Sequence, residues 1–418
     1  MRKRVKTLYL CYFGLREPLV QTQVLPYLRE LNCGDIEVSL LTFEPGWPHS
    51  WTEKEILSWQ DRLREDGISW KAQGYHRKPS LLATLYDIAI GTLTIMQMSR
   101  REKIDVLHAR AHIPLAMALL GQKVCGGKIV FDIRGLIADE YVDAGLWKEN
   151  SLVFKVIKWI ERAGVRKANQ VVVLTERMFD WLVSDLKADP IKIEVIPCCF
   201  DFSRFRNEAG VRKIEATGSD RFEVVYAGSV TGLYLLEEMG SFFLALRERY
   251  ANAFLRVLTT SSADAASERL RRIGLRQDDY WVGAVAASEV PYYLRRAKAG
   301  LSFRKATFSQ VAASPTKIAE YLAAGIPVIS NAGVGDINHI LLGDQVGVIV
   351  GGFNREAYDE AVRQLEDLLG APELAERCRR SAYERFDLER VGGERYRRLY
   401  RKLFSTEARD YSTAPIGL

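Results

Sequence analysis

The 418-residue sequence has only six cysteines, with no Cys-x-x-Cys pair and no histidines near them at metal-finger spacing. No zinc-finger pattern is left, and the cysteines read as free thiols of a reducing cytoplasm. No stretch approaches eighteen consecutive apolar residues. The best, Leu81 to Met98, is interrupted by Asp87 and by threonines, so no membrane-spanning segment is expected. The start, Met1-Arg-Lys-Arg-Val-Lys, leads into a short apolar stretch from Thr7 to Phe13 without a small-residue cleavage site. It reads as a first β-strand and not as a secretory signal. Excess charge is small: 59 Lys and Arg against 53 Asp and Glu give +6, which does not argue for a nucleic-acid partner. There is no Asp-x-Asp pair, no short-period repeat and no low-complexity segment.

What is present is 48% apolar, 27% charged and 10% aromatic residues, the composition of a globular protein of two or three domains. Short β-branched runs alternate with longer segments of helical period, the pattern of a parallel sheet covered on both faces. Six strands are expected in the first half, at 6–13, 37–43, 106–109, 128–133, 170–174 and 193–196. The rhythm breaks at Pro197 and through a polar stretch to Asp220. It restarts with strands at 222–227, 254–259, 280–282, 299–303, 327–330 and 346–350. The expected fold class is α/β, with two doubly wound, Rossmann-like domains at 1–200 and 201–388 and a terminal segment at 389–418. Tyr396, Leu399, Tyr400, Leu403 and Phe404 stand at helical spacing in that segment. A C-terminal helix with one face to bury, crossing back to the first domain, is expected there, with a loose tail beyond Ser405.

The most informative stretch is Ala313-Ser-Pro-Thr-Lys-Ile-Ala-Glu-Tyr-Leu-Ala-Ala-Gly-Ile-Pro-Val-Ile-Ser330. Ser314 suits an N-cap, Pro315 the first helical position and Gly325 a left-handed C-terminal position, which bounds a helix of about three turns. Ile318 and Leu322 share one face, while Thr316, Lys317 and Glu320 share another near the helix start. Backbone N–H groups, the Thr316 hydroxyl and the Lys317 ammonium together suit a diphosphate, and Glu320 suits ribose hydroxyls. An ordinary capped helix with solvated Lys and Glu is the blander reading. A helix starting beyond the carboxyl end of a parallel strand lies where doubly wound sheets bind ligands, and the Gly-rich turn Asn331-Ala-Gly-Val-Gly-Asp336 adds flexible backbone at the same rim.

This segment resembles the donor-site motif of glycosyltransferase family 4, retaining enzymes of the GT-B fold, in the variety reading Ser-Pro-Thr-Lys followed by Glu-Tyr-Leu-Ala-Ala-Gly. Other segments agree in order along nearly the whole chain. The stretch from Tyr12 to Tyr27 is similar to the family's first loop and helix, Phe131 to Glu140 to its mid-domain loop, Val173 to Glu176 to a strand-to-helix junction, and Ile196 to Asp201 to the approach to the linker. The resemblance implies two Rossmann-like domains facing across a cleft. A nucleotide diphosphate-sugar would bind mainly to the second domain and a glycan or lipid-linked acceptor mainly to the first. By position, Ser314, Thr316 and Lys317 would bind the diphosphate and Glu320 the ribose. The loop around Gly283 to Val285 would hold the base through its main chain, and Ser229 lies in the loop after the second domain's first strand. Gly14 would let the first loop approach the phosphates, and Arg16 and Arg110 are acceptor-side candidates. No metal or other cofactor is expected, since a helix dipole and cations neutralise the leaving diphosphate.

Two departures from the family pattern stand out. The Glu that many members carry eight residues before Glu320 is Ala312 here. The loop Ala227-Gly-Ser-Val-Thr-Gly-Leu-Tyr234 lacks the usual Arg and Lys, and Arg304 and Lys305 are candidates to replace their charge near the leaving group. His108, Arg110, Asp132 and Arg134 follow or end strands and are expected to face the cleft. Asp132 would orient or deprotonate an acceptor hydroxyl, and His108 would contact the sugar. The alternative is a structural ion pair of Asp132 and Arg134, with His108 bonded to a loop.

The stretch Trp147 to Lys167 mixes Trp147, Phe154 and Trp159 with lysines and arginines, a composition suited to an interfacial helix or, equally, to a core-packed one. The expected location is cytoplasmic, with peripheral contact to the anionic inner face of the cell membrane. The expected function is retaining transfer of a hexose-type unit in cell-surface polysaccharide or glycolipid synthesis. A non-catalytic nucleotide-sugar-binding or partner subunit stays open because of Ala312, Ser229 and Tyr234. A nucleotide-sugar 2-epimerase shares the architecture and is a further alternative.

Overall fold

Apolar strands alternating with helices build two separate parallel sheets in the computed structural model, which describes residues 4–78, 80–206 and 221–405. The first sheet contains β1 (Val5–Cys11), β2 (Ile36–Pro45), β3 (Ser69–Tyr75), β4 (Val106–Arg110), β5 (Lys128–Asp132), β6 (Gln170–Val173) and β7 (Ile193–Val195), in the order β3-β2-β1-β4-β5-β6-β7. The second contains β8 (Phe222–Ala227), β9 (Ala253–Leu258), β10 (Tyr280–Gly283), β11 (Ala299–Ser302), β12 (Val328–Asn331) and β13 (Gly347–Val350), in the order β10-β9-β8-β11-β12-β13. In each, the order reverses beside the first strand, and the crevice at such a switch point is where doubly wound sheets hold ligands. The strand β3 was not expected from the sequence. Ser-Trp-Lys-Ala-Gln-Gly-Tyr has no apolar run, because an edge strand buries little of either face. Parts of the polar stretch before Asp220 and the tail beyond Ser405 lie outside the described residues.

The period of two along each strand sends alternate side chains to opposite layers. Leu8, Leu10, Leu107, Ala109, Ile129 and Phe131 pack under the helices Ser80–Glu102, His112–Cys125 and Leu152–Lys167. Tyr9, Cys11, Val106 and Val130 point the other way, against the helix Leu25–Asn32 and the C-terminal helix Glu394–Phe404. That last helix buries Tyr396, Leu399, Tyr400 and Leu403 on the first sheet, although it follows the second domain in sequence. At roughly 1.5–3 kcal/mol for each large apolar side chain buried, this contact contributes several kcal/mol.

The domains also bond directly. The Asp336 carboxylate accepts from the backbone N–H groups of Glu176 (2.8 Å) and Arg177 (3.2 Å), so a second-domain acid caps the first-domain helix Glu176–Ser184. Thr175, the N-cap of that helix, accepts from Met178 N–H and donates to the Val311 carbonyl at 2.6 Å.

Candidate active site

The second domain's site is built around the helix Thr316–Ala324, which enters from the Phe308–Ala312 turn and ends at Gly325 in the left-handed region, φ 83°. Ser314 does not cap it. Pro315 occupies the N-cap position, and Ser314 Oγ instead accepts from the Cys198 N–H at 3.1 Å, tying the approach to this helix to the end of the first domain. Tyr321 locks the helix to the switch point: its hydroxyl accepts from Ala227 N–H on β8 (2.8 Å) and donates to the Leu301 carbonyl on β11 (3.2 Å).

Lys317 is buried, and its ammonium has no hydrogen-bond partner among the described residues. It lies 4.0 Å from the Tyr226 ring centroid and 4.1 Å from that of Tyr234, two cation–π contacts. Burial holds its pKa well below the lysine range; nearby Arg304 pushes the same way, and Glu320 opposes. The loop after β8 comes close to it at Gly228, and the Tyr226 hydroxyl donates to the Ser229 carbonyl to shape that loop. Arg304 stands 4.9 Å from the same Tyr234 ring, and its Nε is also unpartnered. Its backbone is clamped by Asn331, which accepts from Arg304 N–H (2.8 Å) and donates to Arg304 C=O (2.9 Å). Two cations with unused donors around one aromatic ring make a site prepared for an anion.

The other expected residues on this side are distributed around that pair. Thr316 is half-buried at the helix start and Glu320 one turn on. Val285 is half-buried against the cluster that holds this helix. Ser229 is exposed, its hydroxyl 3.0 Å from that of Thr231. Lys305 is exposed, with its N–H bonded to the Leu233 carbonyl.

The first domain departs from expectation. His108, Arg110 and Asp132 do not face an open cleft; they are 0, 3 and 0% exposed. Strand alternation puts them on the same face as Tyr9, and the C-terminal helix covers that face. His108 Nδ1 is 3.0 Å from the Tyr400 hydroxyl, and burial drives the His108 pKa down to about 4, which leaves the ring neutral. The Asp132 carboxylate accepts from the Tyr396 hydroxyl at 3.0 Å and sits 3.7 Å from Arg110 and 3.6 Å from Arg134. Buried between the two guanidinium groups, Asp132 has the surroundings of the structural ion pair that the sequence offered as the alternative reading. Arg134 is slightly exposed and donates to Gln23 Oε1 and Cys198 Sγ, both at 3.3 Å.

Gly14 is buried, and the space a side chain would take is filled by Glu44, whose carboxylate accepts from Leu15 N–H; a Cβ there would lie 2.3 Å from Glu44 Oε2. A side chain at this position would have to displace the Glu44 carboxylate. Arg16 is already satisfied: it makes a two-bond pair with Glu55 (2.8 and 2.6 Å) and stacks 4.0 Å over Trp51.

The cleft holds other residues that sequence reasoning did not select. Glu140, on the helix Ile137–Asp143, has its pKa raised by burial, with nearby Arg304 as the main opposing influence. An acid of the first domain thus lies within electrostatic reach of Arg304 in the second domain. His112 is buried, with Nε2 3.2 Å from Glu161, which Lys158 also holds at 2.6 Å. His112 lies two residues past Arg110, where the strand has ended and its alternation no longer applies. Tyr226 was not selected, because an aromatic inside a strand reads as core, and Tyr234 stood out only as a departure from the family's loop. Ala312 packs at 1% exposure in the first domain's core cluster, so its position offers no carboxylate.

Comparison with known proteins agrees with this arrangement. The model of "Glycosyltransferase Family 4" matches residues 21–204, and that of "Glycosyl transferase-like" proteins matches residues 247–401. No curated protein matches the chain. Among solved structures, a glycosyltransferase from Rickettsia africae is 14% identical, with 96% of this chain and 99% of that one covered and a TM-score of 0.66. Sucrose-phosphate synthase from Thermosynechococcus elongatus is 15% identical, with 96% and 99% covered and a TM-score of 0.69. Anabaena HepE in complex with UDP-glucose is 13% identical, with 95% and 99% covered and a TM-score of 0.66. At such identities these likenesses establish the fold, and with the two family matches the chain belongs to glycosyltransferase family 4, with two Rossmann-like domains in the GT-B arrangement.

Proposed function

We propose that the protein moves a hexose-type unit from a nucleotide diphosphate-sugar to a glycan or lipid-linked acceptor, with retention at the anomeric carbon, in cell-surface polysaccharide or glycolipid synthesis. The observation that carries this reading is the buried Lys317 ammonium at the start of the Thr316–Ala324 helix, which has no hydrogen-bond partner among the described residues. A buried cation left unpaired is costly, and a diphosphate supplies the missing partner. Negative charge on the leaving diphosphate grows in the transition state, so Lys317, Arg304 and the helix N-terminus stabilise that state more than the ground state. Thr316 adds a hydroxyl to the phosphates, Glu320 takes the ribose and the main chain near Val285 takes the base. This neutralisation needs no metal ion. The donor's own phosphate removes the acceptor proton, a scheme compatible with the burial of Asp132. Glu140 takes the place of the carboxylate missing at Ala312 on the sugar side.

The test is thermal melting of the protein with UDP, GDP, ADP, TDP and CMP, beside Lys317→Ala, followed by nucleotide release with and without candidate acceptors. One nucleoside diphosphate should raise the melting temperature of the wild type and not of the variant. The absence of any shift would move the non-catalytic reading, which Ala312 favours, to the front. Conversion of the donor sugar at C2 without transfer would point to an epimerase.

A further inference from the structure

We infer that the helices Ser80–Glu102, His112–Cys125 and Leu152–Lys167 form a face that lies flat on an anionic lipid surface. The three helices sit side by side on one side of the first sheet, the second packed between the other two. Glycines let them close up: a Cβ on Gly91 would lie 2.5 Å from Met117 Sδ, one on Gly121 2.8 Å from Ile95, and one on Gly164 2.3 Å from Leu115. The outer side of this layer is apolar. On the first helix Leu82 is 65% exposed, and Leu81, Leu85, Tyr86 and Leu93 lie on the same side. Leu120 and Val124 continue it on the second helix, and Val156 and Trp159, the latter 63% exposed, on the third.

Charge selects the occupant. Among the described residues of these helices, no carboxylate is exposed: Asp87 and Glu161 are buried, and the half-buried Glu102 accepts from Ser39 Oγ at 3.1 Å. The exposed charges are all positive: Arg100, Arg101, Lys123, Lys155, Arg162, Arg166 and Lys167. An apolar surface with basic residues around it and Tyr and Trp rings within it matches the boundary between acyl chains and anionic headgroups. A protein partner would usually meet some charges of both signs.

By length and composition the Ser80–Glu102 helix is able to cross a membrane, contrary to the reading of its sequence, and only a third of its apolar window is buried. Its inner side argues for lying on the surface instead. Asp87 accepts from the Tyr12 hydroxyl at 2.7 Å and pairs with His76 at 2.6 Å, and Thr94 accepts from Gln73 at 2.8 Å. Spanning would strip those bonds and put Asp87 in hydrocarbon.

Flotation with vesicles tests this without any donor or acceptor, so its outcome is independent of the proposed transfer reaction. The wild type should float with vesicles of equal parts phosphatidylglycerol and phosphatidylcholine at low salt, and far less with phosphatidylcholine alone. Leu82→Glu with Leu85→Glu, and separately Trp159→Glu, should each lower the bound fraction roughly tenfold while leaving the melting temperature unchanged. Arg162→Glu with Arg166→Glu should remove the preference for phosphatidylglycerol. A wild type that stays unbound at low salt, or variants that float as it does, would overturn the proposal. So would a dimer in sedimentation that Leu82→Glu with Leu85→Glu splits, since the face would then belong to a second copy.

Discussion

A Cβ placed on Gly228 would stand 2.8 Å from Lys317 Nζ, and Gly228 holds φ at +138°, where L side chains are strained. The turn after β8 and the first turn of the Thr316–Ala324 helix are thus fitted to each other, and a methyl group at Gly228 would have to displace the Lys317 ammonium. Gly228→Ala should push the Lys317 ammonium from between the two tyrosine rings. We expect roughly tenfold weaker nucleoside diphosphate binding and a stability loss of about 1–2 kcal/mol. Titration calorimetry beside thermal melts would show it; wild-type affinity in this variant would mean that the close approach is incidental.

Lys317 should also make binding depend on pH. Burial lowers its pKa in the folded protein, so stability is highest above the usual lysine value near 10.5 and is lost as pH falls toward the lowered value. A bound diphosphate favours the charged ammonium and draws a proton in. Affinity should therefore fall as pH rises past the Lys317 pKa of the free protein, by up to about tenfold per pH unit. Lys317→Met should flatten that slope; a slope that persists would assign it to another group.

His108 has the same sign at lower pH. Burial depresses its pKa from 6.5 to about 4, against the smaller pull of Asp132. The stability tied to its neutral form is present above pH 6.5 and is lost as pH falls toward about 4. The full loss is about 3 kcal/mol. Acid unfolding followed by circular dichroism should show His108→Gln less sensitive than the wild type over this window.

Removing the carboxylate of Asp132 leaves Arg110 and Arg134 buried together without their acid. Asp132→Ala should destabilise by about 3–5 kcal/mol, whereas Tyr396→Phe, which loses one hydrogen bond to that acid, should cost about 1 kcal/mol. Urea titrations measure both. A fully stable Asp132→Ala with abolished transfer would return Asp132 to the chemistry.

Asp336→Ala removes the cap that one domain places on a helix of the other. A loss of about 1 kcal/mol and a more open average arrangement of the domains are expected. Small-angle scattering would report the opening as a larger radius of gyration, and an unchanged radius would mean that other contacts set the cleft.

Local chemistry explains which parts were legible. All six strands of the second sheet were readable because they are short apolar runs between helical segments, and Gly325 ended the Thr316–Ala324 helix as its conformational freedom suggests. The polar edge strand Ser69–Tyr75 was not, since its pairing comes from β2 and not from an apolar pattern of its own. Ser314 was misassigned as a cap because a cap and a cross-domain acceptor look the same in sequence; the Cys198 N–H that claims its hydroxyl is 116 residues away.

Legible in the chain alone were the two doubly wound domains, the short helix that carries Lys317 and Glu320, and the apolar stripe of the terminal helix. These depend on periodicity and end signals within a few turns of chain. Tertiary structure alone decided which polar residues are available to a ligand. His108, Arg110 and Asp132 sit at strand ends as promising as those of Arg304, yet a helix nearly 300 residues further along covers them. Burial and partnership are set by whatever packs from elsewhere in the chain, and the residues themselves carry no record of it.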